Sequence, residues 1–94
     1  MTNFELKVAE FLDEEEVELL WKEAMREAVE NEEREEDIRD YARNAFIDEL
    51  SDYLYDEVRK FGNDIRRELI EAALEDADIE SIADYIIINK NYQI

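Results

Sequence analysis

The chain contains no cysteine, no histidine and no proline, and in 94 residues it has one glycine, Gly62. Without cysteine and histidine there is no disulfide framework, no zinc site of the usual Cys/His kind, no Cys/His or Ser/His nucleophilic dyad and no imidazole to move protons near neutral pH. Much of enzyme chemistry is excluded with them, and neither a catalytic residue nor a metal or other cofactor is expected. Few residues suit hairpin turns when proline is missing and glycine is single, which favours helices. No apolar run approaches the ~20 residues of a membrane-spanning helix, and the opening MTNFELKVAEF lacks the basic-then-apolar layout of a signal peptide. The expectation is a cytoplasmic protein with no membrane attachment.

What is present is acid. Asp and Glu number 29 against 11 Lys and Arg, a formal net charge of −18. Such charge marks a disordered tail when apolar residues are scarce. Here 46% of residues are hydrophobic, with four Phe, five Tyr and one Trp, enough for the core of one small domain spanning residues 1–94. A surface this negative is repelled by nucleic acid and by anionic lipid, so direct binding to either is not expected and the natural partners are basic.

Apolar spacing predicts an all-α bundle of four to five helices. Phe4, Val8, Phe11 and Leu12 fit a short first helix, although Phe4, Leu6 and Val8 also alternate as in a strand. Asp13 reads as an N-cap with Glu16 completing a capping-box spacing. Val17, Leu20, Trp21, Ala24, Ala28 and Val29 form one face of a second helix. NEEREED, residues 31–37, is a loop or a solvated helical bridge. A third helix of about six turns carries Ile38, Tyr41, Ala42, Ala45, Phe46, Leu50, Tyr53, Leu54, Val58 and Phe61, and Gly62 stops it in the position where a left-handed residue is favoured. Asn63 can cap a fourth helix with Ile65, Leu69, Ile70, Ala73 and Ala77 inward. Asp78 can cap a fifth with Ile79, Ile82, Ala83 and Ile86 inward. The β-branched run from Tyr85 to Ile88 fits either that helix or a short C-terminal strand.

The acids are unevenly answered by bases. In the first half Glu18, Glu30 and Glu35 stand four residues before Lys22, Arg34 and Arg39, a spacing that favours ion pairs on a helix. Between Arg43 and Arg59 there are five acids and no base: Asp48, Glu49, Asp52, Asp56 and Glu57. Between Arg67 and Lys90 there are seven more: Glu68, Glu71, Glu75, Asp76, Asp78, Glu80 and Asp84. Asp48, Asp52 and Asp56 recur every four residues, and Asp64, Glu68, Glu71, Glu75 and Asp78 recur every three or four. Each set is a ridge whose side chains stand ~5–6 Å apart on one helix face. Eighteen charges match about 30 Å of duplex at one phosphate per ~1.7 Å, close to the width of a 94-residue globule with a radius of gyration of ~12 Å. Tyr55, between Asp52 and Asp56, falls outside the apolar face of its helix; it fits a cation–π contact with a partner arginine, and equally the cover of a neighbouring helix or a dimer interface. Acidic helices that serve only solubility are the plain alternative.

In the tracts DELSDYLYDEV and ELIEAALEDADIESIADY, the chain resembles the small, acidic, mostly helical DNA-mimic inhibitors that phages encode, the Ocr-like antirestriction and anti-CRISPR class. The resemblance lies in composition and layout, with no diagnostic motif. It implies an inhibitor in the host cytoplasm that occupies the basic nucleic-acid-binding groove of a restriction enzyme, Cas effector or other nucleic-acid enzyme.

Two rival readings stand beside it. One is an acidic helical adaptor for a basic partner. The other is a magnesium-dependent all-α nucleotide pyrophosphohydrolase, for which Glu33/Glu36 and Glu49/Asp52 supply Glu-x-x-Glu and Glu-x-x-Asp pairs. Asp76, Asp78, Glu80 and Asp84 imitate part of a calcium loop, but Ser81 replaces its glycine and Ile87 its final Glu. The adjacent Tyr53, Leu54 and Tyr55 cannot all face one core, so apolar surface for a two-fold partner, and hence a homodimer, is a further expectation.

Overall fold

Four of the five helices begin on a side chain that accepts a hydrogen bond from the first turn, which is where much of the local order originates. In the computed structural model, which describes residues 1–92, the helices are α1 (Asn3–Phe11), α2 (Glu14–Asn31), α3 (Glu35–Arg59), α4 (Ile65–Asp76) and α5 (Ile79–Asn89), with no strand among the described residues. Thr2, Asp13, Asp64 and Asp78 cap α1, α2, α4 and α5; Arg34, ahead of α3, makes no side-chain cap.

The Thr2 cap is a reciprocal box that the sequence reading missed. Thr2 Oγ1 accepts from Glu5 N at 3.1 Å, and Glu5 Oε1 accepts from Thr2 N at 2.9 Å. The other oxygen, Glu5 Oε2, accepts from Asp78 N at 2.8 Å, 73 residues away. Glu5 is 5% exposed, the one buried charged residue among the described residues, and these backbone donors from Asp78 and Thr2 hold its carboxyl below the usual range. Asp13 accepts from Glu15 N and Glu16 N, so the box expected with Glu16 forms in its first half.

α2 and α3 form a hairpin around residues 32–34, so NEEREED divides between a helix end, a short turn and a helix start. Val17, Trp21, Ala24 and Ala28 of α2 are buried against Ala42, Phe46, Leu50, Leu54 and Val58 of α3. No other pair of helices shares as much contact. Ala24, Ala28 and Ala42 are fully buried, and their small side chains let the helices approach closely near the hairpin turn. α5 packs across α1 and α3 with Ile82, Ala83 and Ile86 buried, and α4 rests on α3 through Ile70 and Leu74.

Several expectations are corrected here. Asp64, not Asn63, caps α4: Asp64 Oδ1 accepts from Arg66 N and Arg67 N, while Asn63 Oδ1 accepts from the Arg67 guanidinium. Ile65 and Leu69 were expected inward but are 69% and 63% exposed, because Leu74 and Ile70 turn the opposite flank of α4 to the core. Phe11, Val29 and Phe61 also lie outside the core. Tyr85 to Ile88 is helical. Gly62 has φ +73°, as the helix stop requires.

Beyond α5, Tyr92 N donates to Ile87 O and Asn91 N to Ile88 O, with Asn91 at φ 54°. This is a Schellman ending. It turns Tyr92 inward, where its ring stacks on Trp21 at 5.4 Å and meets Phe46 edge-on at 6.4 Å. The molecule is longer than a sphere of its mass, 46 × 23 × 22 Å with a radius of gyration of 14.1 Å. No helix of the described residues is long and apolar enough to cross a membrane.

Candidate partner-binding surface

The acidic ridges are real as positions but less bare than the sequence suggests. On α3, Asp48, Asp52 and Asp56 are exposed at successive turns. Asp56 pairs with Arg59 at 2.7 Å and Glu57 with Lys60 at 2.7 Å, both reached from the flank of the tract by the i,i+3 step. On α4, Asp64 pairs with Arg66 at 2.9 Å while capping the helix, and the half-buried Glu71 pairs with Arg67 at 2.9 Å. Arg66 and Arg67 thus answer two members of the second ridge.

The largest correction is across the fold. Arg43 Nε donates to Asp84 Oδ1 at 2.8 Å and its Nη2 to Asp84 Oδ2 at 2.9 Å, with Glu80 accepting from the same Nη2. Two acids of the second tract are therefore paired with a base that closes the first. Asp78 is also engaged, accepting from Ser81 N and Ser81 Oγ, which holds its carboxyl below the usual range. Asp48, Asp52, Glu68, Glu75 and Asp76 remain exposed and enter no ion pair among the described residues.

Tyr55 is half-buried and packs against the core, and Leu54 is buried. The trio Tyr53, Leu54 and Tyr55 thus faces inward to a greater extent than the two-fold expectation assumed. The exposed large apolar groups are elsewhere, among them Phe11, Phe61, Ile65 and Leu69.

Glu49 departs most from its neighbours. It sits one residue from the outward Asp48, and α3 turns it toward α2, where its carboxylate and those of Glu23 and Glu27 have oxygens within 4.8 Å of one another. Its Oε2 is buried with no hydrogen-bond partner among the described residues. Burial first, then the charges of Glu27 and Glu23, push its carboxyl up to about 7; Arg26 offsets this only in part, because its guanidinium is held by Glu23 and by Glu30 at 2.7 Å. A concavity of about 470 Å³ opens beside this cluster, lined by Glu27, Tyr41, Asn44, Ala45, Asp48, Glu49 and Asp52.

Chemically, the cluster could take up a proton or a hard cation. The two pairs read from the sequence part company: Glu49 and Asp52 line this concavity, but Glu33 and Glu36 are exposed at the hairpin turn, Glu36 beside Arg34 at 3.6 Å, and it is Glu23 and Glu27 that face Glu49. The i,i+4 pair Glu23/Glu27 was visible, but aligning it with Glu49 needs the hairpin register. The calcium-loop imitation has no loop to sit on, since residues 79–89 are helical. Neither a family model, nor a curated protein, nor a solved structure matches the chain.

Proposed function

We propose that the protein is an acidic mimic of duplex DNA that binds the basic nucleic-acid-binding surface of a host defence or DNA-processing protein and inhibits it. The observation that carries this reading is shape combined with charge. A rod 46 Å long and 23 × 22 Å in section has −18 net charge, with exposed carboxylates on α3 and α4 that no base engages among the described residues. Its length equals about 13 base pairs at ~3.4 Å per step. The net density, roughly one charge per 2.6 Å of axis against one per ~1.7 Å in a duplex, is lower than that of DNA but of the same order.

The test is displacement. A protein captured from host lysate on the immobilised chain and eluted by a salt gradient should bind a short duplex, and the chain should compete with that duplex for one site. Simultaneous binding of duplex and chain would instead indicate an acidic adaptor.

A second reading rests on Glu27, Glu49 and Asp52, which line one concavity as the carboxylates of a magnesium-dependent nucleotide hydrolase would, with Glu23 beside Glu27 and Glu49. Release of pyrophosphate from nucleoside triphosphates with Mg²⁺, lost in Glu49→Gln, would move the assignment there.

A further inference from the structure

At one end of the rod, the last turn of α1, the start of α2 and the final turns of α3 enclose an open groove of about 540 Å³. Its walls are aromatic and its rim is acidic. Phe11 is 81% exposed and Phe61 48% exposed, an uncommon use of large apolar rings in a chain that buries its other aromatic residues at least in part, Phe4 included. Between them lies a floor of Leu54 and Tyr53. Asp13, Glu16 and Glu57 converge from α2 and α3. Burial raises the Tyr53 hydroxyl above its ordinary range, and the charges of Glu57, Glu16 and Asp13 raise it further, with Lys60 opposing them. Three carboxylates, from the α2 cap, the first turn of α2 and the end of α3, therefore line one groove, against the single cation Lys60 among its lining residues.

The chain's own cations already lean on this place. The Lys7 ammonium stands 5.9 Å from the centre of the Phe11 ring, and Lys60 pairs with Glu57 at 2.7 Å. Both lysines are largely exposed and so are held loosely. Glu16 enters no ion pair among the described residues. What the groove offers is a flat apolar slot with carboxylates at its mouth. That suits a side chain with an aliphatic stem and a planar, weakly hydrated cationic head, which can lie against an aromatic face while donating in a fork to carboxylate.

We propose that this groove receives an arginine side chain from a basic segment of the partner protein. The inference rests on the reading that the partner is basic, and it adds what a ridge of charge cannot supply: an anchored contact that distinguishes arginine from lysine and fixes the register of the complex. A duplex has no counterpart to it. The ridges on α3 and α4 would attract any polycation, and the groove selects among them.

The test uses hexa-arginine and hexa-lysine peptides titrated into the whole chain at equal ionic strength, followed by two-dimensional NMR. Hexa-arginine should bind about two- to fivefold more tightly than hexa-lysine, the scale of one exposed cation–π contact, with the largest shifts at Phe11, Tyr53 and Phe61. The double variant Phe11→Ser, Phe61→Ser alters exposed side chains and should keep its helical circular dichroism while the two peptides become equal. Neutralising Asp48 and Asp52 should weaken both peptides alike. Equal affinities in the unaltered chain, or an arginine preference that survives the double variant, would overturn the proposal. No DNA-binding protein takes part, so the result is separable from the displacement test: an arginine preference without DNA competition would keep the groove and reject mimicry.

Discussion

Arg43 of α3 grips Asp84 of α5 through two parallel hydrogen bonds, 2.8 Å from Nε and 2.9 Å from Nη2. The pair spans 41 residues and closes α5 onto the hairpin, with Glu80 sharing the guanidinium. In a chain with 11 bases, this one is committed to architecture. Replacing it by Met would keep the aliphatic stem and leave two acids facing each other, at a cost of about 1–2 kcal/mol for a partly exposed, charge-assisted fork. Arg43→Lys should recover less than half of that, since an ammonium cannot reproduce the fork. Urea denaturation of the three proteins measures it; a Lys variant as stable as the unaltered chain would reduce the contact to simple charge pairing.

Glu49 makes stability depend on pH in a direction opposite to that of most carboxylates. Its folded value is about 7 against an ordinary 4.5. Between these values the folded chain holds a proton that the unfolded chain has released, so this group's contribution to stability falls as pH rises from about 4.5 to about 7 and is level above that. Glu49→Gln removes the ionisation. The variant should be more stable than the unaltered chain by about 1–3 kcal/mol at pH 8, with the difference closing toward pH 5. Coincident melting curves at pH 8 would show that Glu49 ionises without penalty.

The melting temperature should rise between low salt and about 0.5 M NaCl, because screening shortens the reach of repulsion from ~10 Å at 0.1 M to a few Å. The driving charge is the −18 total, with Asp48, Asp52, Glu68, Glu75 and Asp76 exposed and in no ion pair among the described residues. Differential scanning calorimetry across that range decides it. A flat response would mean that ion pairs such as those of Arg26 and Arg67 already balance the field.

Partner binding should respond to ridges as a sum. Asp52→Asn alone should weaken binding by no more than about fivefold, the scale of one exposed ion pair. Neutralising Asp48, Asp52 and Asp56 together, or Glu68, Glu71 and Glu75 together, should lower affinity by orders of magnitude and flatten its salt dependence. Asp56 and Glu71 are each paired within the chain, so most of each loss should come from the other two positions. Affinity against salt, measured for singles and triples, separates this from a localised site, in which one substitution at Glu49 would abolish activity alone.

The sequence was most legible where one periodicity had one meaning. The stripes of α2 and α3, the caps at Asp13 and Asp78 and the stop at Gly62 follow from local spacing and backbone chemistry. α4 was less legible because it has two apolar flanks, Ile70/Leu74 and Ile65/Leu69, and only packing against α3 decides which is inward. Asn63 and Asp64 are both acceptable caps, and the choice depends on a backbone turn that composition does not encode. Pairings such as Arg43 with Asp84, or Glu49 with Glu23 and Glu27, lie beyond any i,i+4 reading, because they depend on which helices become neighbours.

The Trp21–Tyr92 stack turns the chain's one tryptophan into a spectroscopic gauge of its last described turn. Trp21 is 8% exposed, and one face of its indole is covered by a residue three positions beyond the end of α5. If that turn lifts away, the indole meets water and its emission shifts to the red before any helix melts.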